Sequence, residues 1–178
     1  MMKRKRAQKL VIPLFLAVTF VLTFLAATAL AVSFSARLSG REEVPPVHTR
    51  ATGRVVFTFI TDHGEIALDY KIYVEHIKDV TAAHIHLGEE GKNGPPVAVL
   101  FNGPEKKGYI HGLLAHGRIT ANDLIGPLEG KELPDLMNEI VHDNAYVNVH
   151  TAEHPAGEIR GQLRCPEDIC PAPFLRKK

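Results

Sequence analysis

Ala145-Tyr-Val-Asn-Val-His150-Thr-Ala-Glu-His154-Pro155-Ala-Gly157-Glu-Ile-Arg-Gly161-Gln-Leu163 decides the fold, because it reads as a strand, a sharp turn and a second strand. Side chains on a strand alternate between its faces, so Tyr146, Asn148 and His150 share one face and Val147 and Val149 the other. Pro155 and Gly157 supply the turn, and Gly157 to Leu163 resumes extended structure with charged and apolar positions alternating. Upstream, Ala83-His84-Ile85-His86-Leu87-Gly88 sets two imidazoles two residues apart, and on a strand both point the same way.

Working outward, the same period recurs. Ser33 to Leu38 alternates polar and apolar residues and suits a first strand, and Gly53 to Thr61 is rich in β-branched and aromatic residues. Asp62-His63-Gly64 is a hairpin-turn signal. Beyond it Ile66, Leu68, Tyr70, Ile72 and Val74 alternate with Glu65, Ala67, Asp69, Lys71 and Tyr73, the antiparallel pattern of one buried and one wet face. Short strands follow at 82–87 and 97–101, separated by a Gly88–Pro96 loop, with Asn102-Gly103-Pro104 closing the second. Tyr109 to Ile119 is extended, with Gly112 and Gly117 marking bulges. Between Thr120 and Asp143 the period changes. Thr120 caps a short turn, and Leu133, Leu136, Met137, Ile140 and Val141 form an amphipathic helical stripe with Pro134 in its first turn and Asn144 as its C-terminal cap. About eight short strands and one helical insertion predict an all-β fold, a Greek-key antiparallel β-sandwich or barrel.

The N-terminus is a targeting segment. Lys3, Arg4, Lys5, Arg6 and Lys9 precede an uncharged run from Leu10 to Val32, and Ala29-Leu30-Ala31 offers a small-x-small cleavage site. Residues 1–31 are therefore read as a signal peptide or, because the run approaches a bilayer span, as an N-terminal membrane anchor through residues 10–32. Either version delivers residues 32–164 outside the cytoplasm, secreted or extracytoplasmic. The chain's 21 basic residues, less those five, leave 16 against 20 acidic ones, so the exported part is near −4. That balance argues against a nucleic-acid partner, and leaves membrane contact to the N-terminal segment alone. Residues 165–178, with three prolines and a basic end, read as a disordered tail. Cys165 and Cys170 there suit a local disulfide contributing about 2 kcal/mol, with a C-x4-C metal pair as the alternative.

All ten histidines lie in the exported part. His84 and His86 can each present a ring nitrogen to one ion, as copper and zinc sites require, with His150 and His154 as further ligands if the strands meet. The competing reading is histidines hydrogen-bonded at a loop-rich edge. His111 and His116 weigh as structural, and His48, His63, His76 and His142 as surface residues. Glu158 and Arg160, two apart on one strand face, read as a sheet-surface ion pair extended by Glu153, worth at most about 1 kcal/mol. G-x-S-x-G, H-E-x-x-H and a phosphate loop are all absent.

The chain resembles the CHRD (chordin-type) domain family. The likeness rests on Gly40-Arg-Glu-Glu-Val-Pro-Pro46, on Ala83-His-Ile-His-Leu-Gly88 followed by Gly94-Pro-Pro-Val97, and on Tyr146-Val-Asn-Val-His150 through Gly157-Glu-Ile-Arg-Gly-Gln-Leu163. It implies an extracellular all-β domain with no established catalytic residues. Export, one sandwich domain and the lack of a catalytic set point to a binding module with an extracellular protein or surface ligand as partner. The Ala83–His86 motif is also similar to the paired-histidine strand of copper–zinc superoxide dismutase, which implies a copper redox enzyme as the alternative.

Overall fold

The structure, a computed structural model, describes residues 33–62 and 65–164. The N-terminal leader or anchor, His63-Gly64 of the expected turn, and the cysteine-bearing tail lie outside the described residues. Among those described, no helix is long and apolar enough to cross a membrane.

The described residues form six antiparallel strands, β1 (Ser33–Ser39), β2 (Thr52–Asp62), β3 (Glu65–Leu87), β4 (Pro96–Ile119), β5 (Ala145–Thr151) and β6 (Ile159–Gln162). Of these, β1, β2, β3, β5 and β6 close into a barrel, and β4 pairs along the outer edge of β3. The order is β2-β1-β6-β5-β3-β4, closed by an additional β2–β3 pairing. Of the two expected architectures, the barrel is the one present. One α-helix, α1 (Leu133–Val141), interrupts the strands between β4 and β5.

The expected eight short strands are corrected to six, because two pairs fuse. Residues 65–74 and 82–87 belong to one strand of 23 residues, and 97–101 and 109–119 to one of 24. The punctuation between them is not turns but bulges. β3 and β4 pair along their length with six register shifts, and His76 and Asp79 take positive φ angles of 55° and 51°. Bulges bend a strand without ending it, so β3 pairs with β2 through Glu75 and with β5 from Val80 onward. One strand thus serves both walls of the barrel. Gly112 sits at a register shift as expected, whereas Gly117 pairs in step with Tyr70 and yields space to its ring.

Alternation puts the apolar set inside. Val55, Phe57, Leu68, Ile72, Ile85, Val147 and Val149 are fully buried in one core. Full burial is worth about 1.5–3 kcal/mol for each large aliphatic or aromatic side chain. Helix α1 adds its stripe of Leu133, Leu136, Met137 and Ile140 to that core. Its C-terminus corrects the expectation for Asn144. His142 is the cap, Asp143 takes the left-handed position, and the Asn144 amide bonds back to the Glu139 carbonyl at 2.9 Å. The Thr120 cap is present, with Asp123 completing a capping box.

Barrel closure depends on β6 approaching β1. A Cβ on Gly161 would collide with the Arg37 carbonyl and come within 2.8 Å of Leu38. Because a backbone carbonyl cannot swing aside, Gly161→Ala is expected to destabilise the domain by about 1–3 kcal/mol, read as a lower urea midpoint at unchanged slope.

Candidate metal centre

Three histidines converge on one face of the β3–β5 pair. His84 lies opposite Asn148 and His86 opposite Tyr146, while His150 faces the small Ala82, so all project to the same side. The ring nitrogens of His84, His86 and His150 lie within 4.8 Å of one another. His84 Nδ1 and His150 Nε2 are 3.2 Å apart, close to the separation of two nitrogens on one tetrahedral ion at about 2.0–2.1 Å. The fourth expected ligand, His154, is not in this group. It serves through its backbone, the amide bonding Thr151 Oγ1 at 3.1 Å and the carbonyl accepting from Gly157 at 3.0 Å.

Hydrogen bonds fix how the rings present themselves. A carbonyl only accepts, so His86 Nδ1 donates to Gly94 O (2.9 Å) and His150 Nδ1 to Pro155 O (3.0 Å). Both Nε2 lone pairs are thereby turned toward the cluster. His86 Nε2 is buried and without a partner. An unsatisfied buried acceptor of that kind costs about 1–3 kcal/mol, which a bound cation would recover.

Electrostatics keep the rings uncharged. Burial, reinforced by His150 and His86, pushes His84 down to about 4. Burial also lowers His86 and His150, against the opposing bonds to Gly94 and Pro155. Neutral imidazole is the ligating form, so at neutral pH no proton has to be expelled from the cluster.

The support around the trio was largely missed by sequence reasoning. Glu158 and Arg160 are not a surface pair: they are 8% and 1% exposed. Glu158 accepts from Thr49 (2.7 Å) and Thr151 (2.8 Å). Arg160 donates to Asn93 Oδ1 (3.2 Å), Glu89 O (3.1 Å) and Lys92 O (2.9 Å), and stacks 3.5 Å over Tyr146. The Tyr146 ring stacks in turn on His86, with centroids 5.0 Å apart and planes at 15°. Gly94, whose carbonyl orients His86, is held by the Tyr146 hydroxyl at 3.1 Å. Asn148 donates to the buried Glu43 at 3.2 Å. Gly157, at φ 132°, leaves room for the Asn148 amide, which a Cβ there would strike.

The one sequence signal for this shell was position. Glu43, Gly94 and Tyr146 to Arg160 belong to the stretches that carry the family likeness, and the fold brings those stretches to one place. No curated protein and no solved structure matches this chain. The CHRD domain profile matches residues 34–163, the whole barrel from β1 to the end of β6. The chain therefore belongs to the CHRD domain family.

Proposed function

We propose that this chain is an extracytoplasmic CHRD binding module that holds one divalent copper or zinc ion at His84, His86 and His150. The observation that carries the reading is the convergence of three neutral imidazoles around the unpartnered, buried Nε2 of His86. Three protein ligands leave a tetrahedral ion one open position, which suits water or a donor from a bound partner. His84 would ligate through Nδ1 once its proton moves to Nε2. The basic-then-apolar leader supports delivery outside the cytoplasm, where CHRD domains are found as binding modules. The group contains three histidines and no carboxylate, which gives a superoxide-dismutase-type enzyme less support than simple binding.

Metal retained through gel filtration, measured by elemental analysis, is expected at about one ion per wild-type chain. The tightly held ion should be lost in the H84A/H86A variant, because losing two of three ligands removes the chelate. Equal content in the two proteins would overturn the assignment.

A further inference from the structure

We propose a second, separate divalent-metal site on the opposite arm of the β3–β4 pair, made by Glu75, His76 and His111. In a regular strand Glu75 and His76 point to opposite faces and cannot share a ligand. Here they do share a side. Val74 pairs with Gly112 and Ile77 with Ile110, so two residues of β3 stand against His111 alone. Val74 and Ile77 are both fully buried, which turns the two residues between them outward together. The device that achieves this is the left-handed backbone of His76, at φ 55°, a conformation non-glycine residues adopt sparingly.

The result is a donor set of two imidazoles and a carboxylate. Their ligand atoms all lie within 4.8 Å of one another. His111 Nδ1 is 3.0 Å from Glu75 Oε2, and the His76 and His111 rings meet edge to face at 5.1 Å. The His76 backbone N–H also points at His111 Nδ1, at 3.4 Å. Neither neutral tautomer of His111 satisfies both contacts, since the carboxylate asks Nδ1 for a proton and the amide asks it for a lone pair. Two imidazoles and a carboxylate with open positions suit borderline divalent ions such as Zn²⁺, Cu²⁺ and Ni²⁺. All three residues are exposed, so water or a donor from another molecule completes the shell, and binding is weaker than at the half-buried trio.

The test is a Zn²⁺ titration of the full chain against a competing chromophoric chelator. H76A/H111A and E75Q are compared with wild type and with H84A/H86A. All these side chains are solvent-exposed at the second site, so circular dichroism of H76A/H111A should match wild type. The expected result is a weaker equivalent that survives in H84A/H86A, drops on the order of 10–100-fold in affinity in E75Q, and vanishes in H76A/H111A. A chain whose single equivalent disappears only with H76A/H111A supports this site and overturns the one at His84, His86 and His150. A titration of H76A/H111A that superimposes on wild type overturns the second site and leaves the first standing.

Discussion

Arg160→Ala is expected to cost about 2–4 kcal/mol of stability, from the loss of three charge-assisted hydrogen bonds and of the packing of a fully buried side chain. Arg160 is only 1% exposed and supplies donors to two backbone carbonyls, Glu89 O and Lys92 O, and to the Asn93 side chain. An alanine leaves a cavity where the buried guanidinium stood, frees the 88–95 loop from its three anchoring bonds and removes the cation stacked on Tyr146. Domains of this size hold about 5–15 kcal/mol in total, so the variant should still fold but unfold at much lower urea. Arg160→Lys keeps the charge without the planar fork and is expected to recover less than half of the loss. The damage should also be local. The 88–95 loop would exchange its amides faster, and His86 would lose the Gly94 carbonyl that orients it. Metal affinity should then fall on the order of 10–100-fold. A stability loss below about 1 kcal/mol would show that Arg160 is merely accommodated.

Glu43→Gln is expected to change how stability depends on pH. Burial, above all, pushes the Glu43 carboxyl up from 4.5 to about 7, despite the nearby Arg160 charge and the Asn148 bond, and Glu158 adds to the rise. Between those two values the folded chain keeps a proton that the unfolded chain releases. The native state therefore binds more protons over that window, and stability falls as pH rises. The contribution is fully present below pH 4.5 and is lost as pH passes through about 7, a change of up to about 3 kcal/mol for a shift of this size. Glutamine mimics the protonated acid, so E43Q should gain on wild type from pH 5 to about pH 7, and the gain should level off above that. Subtracting the two urea-derived stability curves cancels every titration they share. A flat difference would mean that Glu43 is ionised in the fold at all these pH values.

The barrel itself was legible in the sequence because alternation survives burial. Leu68, Ile72 and Val74 are inside as their period demands, and the helical stripe at Leu133 to Ile140 packs where its spacing points. The histidine trio was legible for the same reason, since a two-residue period fixes a face. Strand number was not legible. Asn102-Gly103-Pro104 and the residues around His76 and Asp79 carry turn chemistry, yet a bulge uses the same residue types, and only the pairing partner distinguishes them. The burial of Arg160 and Glu158 was likewise hidden. Alternation says which face a residue takes, not whether loops 40–49 and 88–95 come across to cover it. Glu43 and Asn93 reach the site through those loops, from 105 residues and from 67 residues away in sequence from their partners Asn148 and Arg160.

The long β4 strand ends the sheet order and, among the described residues, pairs along its length with β3 alone, apart from a bridge from Ala98 to Leu124. A bare 24-residue margin would ordinarily invite a neighbouring chain to zip on. This one is poorly suited to such recruitment. Pro96 and Pro104 offer no amide proton, Lys107 presents an exposed charge, and the kinks at Gly108 and Gly112 break the straight run that a foreign strand would have to follow. The irregularities that let one hairpin wrap both walls thus also make this edge a poor template for pairing with another copy of the chain.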